Sequence, residues 1–148
     1  MRRIYLGNDC FRLKDRFLIR KETFHYLKNV LRFNERDFFI GFDGSGKEYK
    51  IEIEKIEKKE ILAKILEERV IYSSELGFTL QLFQCIPKGD KLDFIIREVT
   101  QLGVKRIVPV ISKRTSVKIP RERIENKIKR WNKIAEEASK ISGRVFVP

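Results

Sequence analysis

The chain has 148 residues, 42% of them hydrophobic and 36% charged, which is enough apolar material for a packed core and too much for a disordered polypeptide. Lys and Arg exceed Asp and Glu by 33 to 21, giving a formal net charge of +12. No apolar run approaches the ~20 residues of a membrane span, and the N-terminus lacks the apolar core of a signal peptide. These features predict a cytoplasmic protein with a polyanionic partner, although a genome bias toward Lys and Ile would give the same composition.

The first part of the chain reads mostly as strands, which we predict at Ile4–Leu6, Phe17–Arg20, Phe38–Phe42, Tyr49–Ile56 and Ile61–Leu66. One helix interrupts them, with Thr23 as its cap and with Phe24, Leu27 and Leu31 at helical spacing. Many short strands with one helix are typical of a small β-barrel. We place this unit at residues 1–73, followed by a short linker that ends at Gly77.

The second part, residues 77–148, alternates strands and helices. A strand over Phe78–Ile86, a helix capped by Asp90 and ended by Gly103, and a strand over Ile107–Ile111 predict a βαβ unit with parallel strands. A longer helix follows Pro120 and ends at Gly143, and its predicted buried stripe consists of Ile124, Ile128, Trp131, Ala135 and Ala138.

The last residues, Val145–Pro148, begin what we expect to be a third strand. Parallel sheets need several strands and two covered faces, so two strands and a stub form an incomplete α/β unit. Two interpretations follow: the chain is a fragment of a longer protein, or it pairs with a second copy. The first is favoured.

The segment Gly41–Lys47 resembles a nucleotide-binding P-loop. The next residue is Glu48, however, where a P-loop has the Ser or Thr that binds magnesium, and the segment leads into a predicted strand and not a helix. A glycine-rich hairpin turn around Asp43 and Gly44 is therefore the favoured interpretation.

The remaining reactive residue types form no catalytic or metal-binding pattern. His25 lies on the short helix with no Cys, Ser or second His at a diagnostic spacing, which favours a packing or hydrogen-bonding role. Cys10 and Cys85 are interpreted as reduced thiols.

Basic residues cluster in two places. From Arg114 to Lys133, eight basic residues stand against Glu122 and Glu125. A second group lies in the β unit and consists of Arg2, Arg3, Arg12, Lys14, Arg16, Arg20 and Lys21. One basic region in each unit suits a folded RNA held by its backbone, although composition alone does not distinguish RNA from DNA.

Several motifs in consistent order resemble the RsmE family. In the first unit they are His25, Val30–Arg32 and Phe42–Gly46. In the second they are Lys88–Asp93, Glu98–Val104, Ile107–Pro109, Ser112–Arg114, Arg130–Ala138 and Ser142–Arg144. The resemblance implies a PUA-like β-barrel followed by the first βαβα part of a SPOUT-type α/β-knot domain, with the knot region absent.

Members of this family methylate N3 of a uridine in 16S ribosomal RNA with S-adenosylmethionine, and they are homodimers. The family's Gly-Pro-Glu-Gly-Gly and Arg-Thr-Glu-Thr-Ala motifs do not occur in these 148 residues, so we expect the cofactor site downstream of Pro148. We accordingly assign no catalytic, cofactor-binding or metal-binding residue within the chain and expect it to be inactive alone.

Six basic residues are the predicted contacts to RNA: Arg2, Arg3, Arg32, Lys88, Arg114 and Arg144. Of these, Arg32 and Arg144 rest mainly on the family resemblance. The alternative function is a non-catalytic RNA-binding module built on the barrel. A nucleotide hydrolase based on Gly41–Lys47 is a remote third hypothesis.

Overall fold

The computed structural model describes residues 1–71, 78–113 and 119–148, and the chain divides into two compact units, Met1–Ile71 and Tyr72–Pro148. The predicted linker before Gly77 therefore lies outside the described residues. In the described ranges, no helix is long and apolar enough to cross a membrane.

The first unit is one six-stranded sheet with a short helix. Its strands are β1 Arg3–Tyr5, β2 Cys10–Leu13, β3 Arg16–Arg20, β4 Phe38–Phe42, β5 Lys47–Ile56 and β6 Glu60–Val70, in the spatial order β1-β4-β5-β6-β3-β2. Only the β1–β4 pair is parallel. The helix α1, Lys21–His25, continues into a π-helical turn over Tyr26–Val30.

Alternation along β5 builds the core of this unit. Tyr49, Ile51 and Ile53 are buried while Lys50 and Glu54 face water, because successive side chains of a strand point to opposite faces. Their buried neighbours include Phe17, Ile19, Leu27, Phe39, Ile61 and Ala63.

Two sequence-based expectations for this unit were wrong. The helix begins at Lys21, so Thr23 lies inside it and cannot be its cap. Strand β2 was not predicted, because it is an edge strand whose Phe11 and Leu13 stay about half exposed and therefore show no buried alternation. The strand predicted at Phe38–Phe42 is confirmed to the residue.

The second unit contains β7 Gln81–Cys85, α2 Lys91–Gln101, β8 Arg106–Val110 and α3 Arg121–Ser142. The two strands are parallel as predicted, with Leu82 opposite Ile107. Ile86, Leu92, Ile96, Trp131 and Ala135 form the core between sheet and helices.

The predicted buried stripe of α3 is correct at three of its five residues. Trp131, Ala135 and Ala138 are buried, whereas Ile124 and Ile128 are 37% and 46% exposed. Gly143 ends the helix with φ of 74°, a conformation that glycine adopts without steric cost. The expected third strand is not formed: within Val145–Pro148, Phe146 makes a single β-bridge.

Candidate nucleic-acid interface

The arginines of the β2–β3 hairpin are neutralised by carboxylates on strands β5 and β6. Arg12 pairs with Glu68 at 2.6 Å, Arg16 with Glu54 at 2.7 Å and Arg20 with Glu60 at 2.8 Å. Arg20 and Glu60 lie directly opposite each other on β3 and β6, where opposite charges stabilise a sheet. The basic group predicted here is thus largely an internal ladder of ion pairs, which we call the arginine ladder.

Glu68 is the most strongly held carboxylate of the arginine ladder. Hydrogen bonds from Arg12 and from Lys47, whose Nζ lies 2.9 Å away, lower the pKa of Glu68 to about 2. Arg12 therefore keeps a charged partner across the physiological pH range, and its guanidinium is already committed to the sheet.

Arg3, predicted to contact RNA, is also engaged within its own unit. Its guanidinium pairs with Glu48 and lies 5.1 Å from the centroid of the Phe42 ring. The side chain is only 22% exposed. These contacts assign Arg3 a structural role in joining β1 to β4 and β5.

Arg144 is the clearest departure from the predicted interface. It is 5% exposed, and its Nη1 donates hydrogen bonds to the carbonyl oxygens of Thr100 and Val104. These carbonyls lie at and just beyond the C-terminal end of α2, where backbone acceptors lack helical partners and favour a cation. A guanidinium in this position is not available to a phosphate, so Arg144 is removed from the interface.

Three of the predicted contacts, unlike Arg3 and Arg144, are exposed and unpaired in the described part of the chain. Arg2, Arg32 and Lys88 have exposed side chains and no hydrogen bond or ion pair from them within the described part of the chain. Arg114 lies outside the described residues. The structure thus leaves Arg2, Arg32 and Lys88 as cations available to a ligand.

Helix α3 presents a second basic surface. Arg121, Arg123 and Lys129 are exposed, and the Lys127 ammonium lies 5.7 Å from the centroid of the Trp131 ring. Arg130 is different, because it pairs with Asp93 and approaches Asp90 at 3.4 Å. The N-terminal half of the helix therefore carries most of the free charge.

The connection between β4 and β5 is a hairpin loop, as the sequence predicted, and not a P-loop. Asp43 accepts hydrogen bonds from the backbone N–H of Ser45 at 2.9 Å and from the Tyr49 hydroxyl at 2.9 Å. Burial and the hydrogen bond to Asp43 raise the pKa of Tyr49 to about 12. The loop is fixed by its own side chains and leads into a strand.

The other candidate reactive groups have ordinary surroundings. His25 is exposed, and its Nδ1 lies 3.2 Å from Asn29 Nδ2, which fits the predicted hydrogen-bonding role. Burial raises the pKa of the Cys10 thiol to about 12, so this cysteine is not a nucleophile at neutral pH. Among the described residues, no group of three His, Cys, Asp or Glu side chains could hold a metal ion.

An apolar groove of about 210 Å³ lies in the second unit. Its walls come from α2, β8 and α3, with Ile96, Ile107, Trp131 and Pro148 among the lining residues. Ligand sites normally combine such walls with a few convergent polar groups. Here Asn132 is the one polar side chain in the lining.

Two family models match this chain. The RNA methyltransferase PUA domain matches residues 19–66, and the RNA methyltransferase domain matches residues 74–148. The ribosomal RNA small subunit methyltransferase E of Bacillus subtilis is 35% identical over 132 residues, covering 89% of this chain and 51% of the relative. The chain belongs to the RsmE family of RNA methyltransferases.

Other RsmE relatives agree. The Buchnera aphidicola protein of the same name is 31% identical, and the alignment covers 99% of this chain and 57% of that protein. A Neisseria gonorrhoeae RsmE structure bound to S-adenosyl methionine has a TM-score of 0.83 at 33% identity and covers 100% of this chain and 60% of that one. The structure of a Legionella pneumophila protein described as a methyltransferase, with bound SAM, has a TM-score of 0.85 at 27% identity, and the match covers 99% of this chain and 60% of that one.

The chain spans about half the length of the curated RsmE relatives it matches. The matches confirm the predicted fold class, a PUA-like β unit followed by an α/β unit of SPOUT type. They identify no contact residue, and the candidate interface consists of the exposed and unpaired cations.

Proposed function

We propose that the enzyme to which this chain belongs methylates N3 of a uridine in 16S ribosomal RNA with S-adenosylmethionine as the methyl donor. The observation that carries this proposal is the RsmE family match, which extends through both units of the chain. The family members solved with S-adenosyl methionine support the choice of cofactor.

The reaction places modest chemical demands on the enzyme. Uracil N3 loses its proton, attacks the sulfonium methyl group, and the S–CH₃ bond breaks to leave S-adenosylhomocysteine. Orientation of the base and electrostatic stabilisation supply most of the rate in such an in-line transfer. In this proposal the described residues hold the RNA, and no residue of the chain is assigned to the proton transfer.

RNA binding is proposed for both units, with residues 1–73 as the PUA-like domain and 77–148 as the first part of the methyltransferase domain. Arg2, Arg32 and Lys88 are the proposed contacts among the described residues, because they are exposed and unpaired. Arg114 is proposed on its sequence motif alone. The free cations of α3 would extend the same function.

The assembly and location follow from the same proposal. We place the cofactor site in family segments beyond these 148 residues, in a cytoplasmic homodimer, and we expect the chain alone to be inactive. In the alternative, a non-catalytic RNA-binding module, the gene product would hold 16S RNA without modifying it. The exposed cations favour RNA binding in both cases, whereas the family match favours the enzyme.

Disruption of the gene in its own cells separates the two functions. We expect N3-methyluridine to disappear from one position of 16S RNA, read as the loss of a reverse-transcription stop, because N3 methylation blocks Watson–Crick pairing. Reintroduction of the gene is the control and should restore the stop. An unchanged stop in the disrupted strain would contradict the enzyme and leave the binding module.

A further inference from the structure

The arginines of the first unit fall into two groups. Five of them pair with carboxylates: Arg3, Arg12, Arg16, Arg20 and Arg69. The other three, Arg2, Arg32 and Arg36, are exposed and have no ion pair or side-chain hydrogen bond within residues 1–71, 78–113 and 119–148. Most arginines of the first unit are therefore neutralised by carboxylates, and only these three remain unpaired among its described residues.

Arg36 is free although acidic residues flank it on both sides. Glu35 accepts a hydrogen bond from the backbone N–H of Ile56 at 3.0 Å, and Asp37 accepts one from the backbone N–H of Asn34 at 2.7 Å. Both neighbouring carboxylates are thus committed to backbone amides. The loop is arranged so that its guanidinium stays available.

The loop over residues 31–37 also has an unusual backbone. Arg32 and Arg36 have φ of 56° and 72°, a left-handed conformation in which glycine or asparagine is cheaper than arginine. The conformation is fixed by hydrogen bonds from Phe33 N to Leu27 O at 3.0 Å and from Arg36 N to Ile53 O at 2.8 Å. A π-helical turn precedes it, and both features concentrate at functional sites.

The sheet topology brings Arg2 to the same place. Strands β1 and β4 are parallel, and Ile40 N donates a hydrogen bond to Arg2 O at 2.9 Å, so the residues that enter both strands share one end of the sheet. Arg36 enters β4 there, and Phe38, the first residue of β4, is 44% exposed. Arg2, Arg36 and the Phe38 ring therefore belong to one end of the sheet, and Arg32 stands four residues before Arg36 in the same loop.

We propose that this end of the sheet, formed by Arg2 and the loop over residues 31–37, is the phosphate-binding site of the first unit, with Arg36 as a contact residue that the sequence did not indicate. The site binds the phosphodiester backbone of RNA, because a planar guanidinium group can donate two parallel hydrogen bonds to two oxygens of one phosphate. Fixing the loop in advance lowers the entropy lost on binding. The inference rests on the proposed RNA-binding function and deepens it.

The test compares charge removal at free and paired arginines of the full chain. Arg32→Asn and Arg36→Asn tolerate the left-handed backbone, and Arg69→Asn removes the same charge from another exposed arginine, one that is paired with Glu67 at 2.6 Å. Binding is measured by fluorescence anisotropy with labelled oligouridylate and with a labelled RNA hairpin. We expect each loop variant to bind both RNAs about tenfold more weakly, with the salt slope reduced by about 0.7 on the single strand, and Arg69→Asn to stay within about twofold.

Equal losses for the loop variants and Arg69→Asn would overturn the site, because they would indicate general electrostatic attraction. If the unmodified chain binds neither RNA, the proposed RNA-binding function itself fails, which is a different outcome. Thermal unfolding is the structural control: we expect Arg36→Asn to melt at the same or a higher temperature, since it relieves backbone strain. Arg36→Lys should bind more tightly than Arg36→Asn, and equal affinities would contradict a role for the charge.

Discussion

Thr100 carries a buried hydroxyl group whose surroundings do not satisfy it. It is fully buried on α2, and its hydroxyl oxygen has no hydrogen-bond partner in the described structure. Its backbone carbonyl, in contrast, accepts a hydrogen bond from Arg144. The main chain at this position is therefore used, while the hydroxyl group carries the cost of an unsatisfied polar atom.

We therefore expect Thr100→Val to leave the second unit as stable as before or to stabilise it by about 1 kcal/mol, because valine has nearly the same shape without the hydroxyl. Thr100→Ala is the matched control and should destabilise by about 1 kcal/mol through the lost methyl group. Trp131, the single tryptophan of the chain, lies in the core of this unit and reports its unfolding in urea by fluorescence. A clear loss of stability in Thr100→Val would mean that the hydroxyl is bonded.

Arg144 and Arg3 show which residue roles the sequence could not reveal. Arg3 was predicted to contact RNA because it belongs to a basic group of the first unit, and Arg144 mainly because of the family resemblance. Their partners are the carbonyls of Thr100 and Val104 for Arg144, and Glu48 for Arg3, all about 40 positions or more away in the chain. Such non-local pairing is decided by the fold, so local charge patterns cannot separate a free arginine from a buried or paired one.

At the scale of elements, α2 and α3 are joined by a polar contact beside their apolar core. Asp93, in the first turn of α2, accepts a hydrogen bond from Trp131 Nε1 at 3.1 Å and pairs with Arg130. The Asp93 side chain is 14% exposed, so water competes weakly for it. This carboxylate fixes how the indole of Trp131 sits against α2.

Asp93→Ala should destabilise the second unit by about 2 kcal/mol, since it leaves the indole N–H of the buried Trp131 without its acceptor. The urea midpoint followed by Trp131 fluorescence measures the effect. Asp90→Ala removes the same charge from a side chain that is 81% exposed and makes no cap hydrogen bond, so it should cost less than about 0.5 kcal/mol. Equal effects of the two changes would show that the contact to Trp131 is not what stabilises the packing.

Elements with a strong local signal were predictable, and elements set by tertiary context were not. Strand β4 was predicted to the residue, and the β7–α2–β8 unit was predicted with its parallel pairing, because apolar runs and glycine stops mark both. The π-helical turn over Tyr26–Val30 has no such signal, nor has the left-handed backbone of the loop that follows it. Arg36, the proposed RNA contact that the sequence did not indicate, lies in that loop.

For the whole molecule, the distribution of charge matters more than its total. The chain carries a formal +12, yet the arginine ladder is neutralised within the sheet. Among the residues that the structure describes, the unpaired cations proposed to bind RNA lie before β1, in the loop after the π turn, at Lys88 and along α3. Long-range attraction of a polyanion follows from the total, whereas its binding position depends on this smaller free set.

The most direct test of RNA binding by this chain is a salt titration of its equilibrium affinity for 16S ribosomal RNA. Phosphate contacts release counterions, so we expect the logarithm of the association constant to fall linearly with the logarithm of salt concentration. The slope should be about −0.7 to −0.9 for each phosphate contact, and its total magnitude should be at least about 2. An affinity that does not change with salt, or no binding at low salt, would contradict the account.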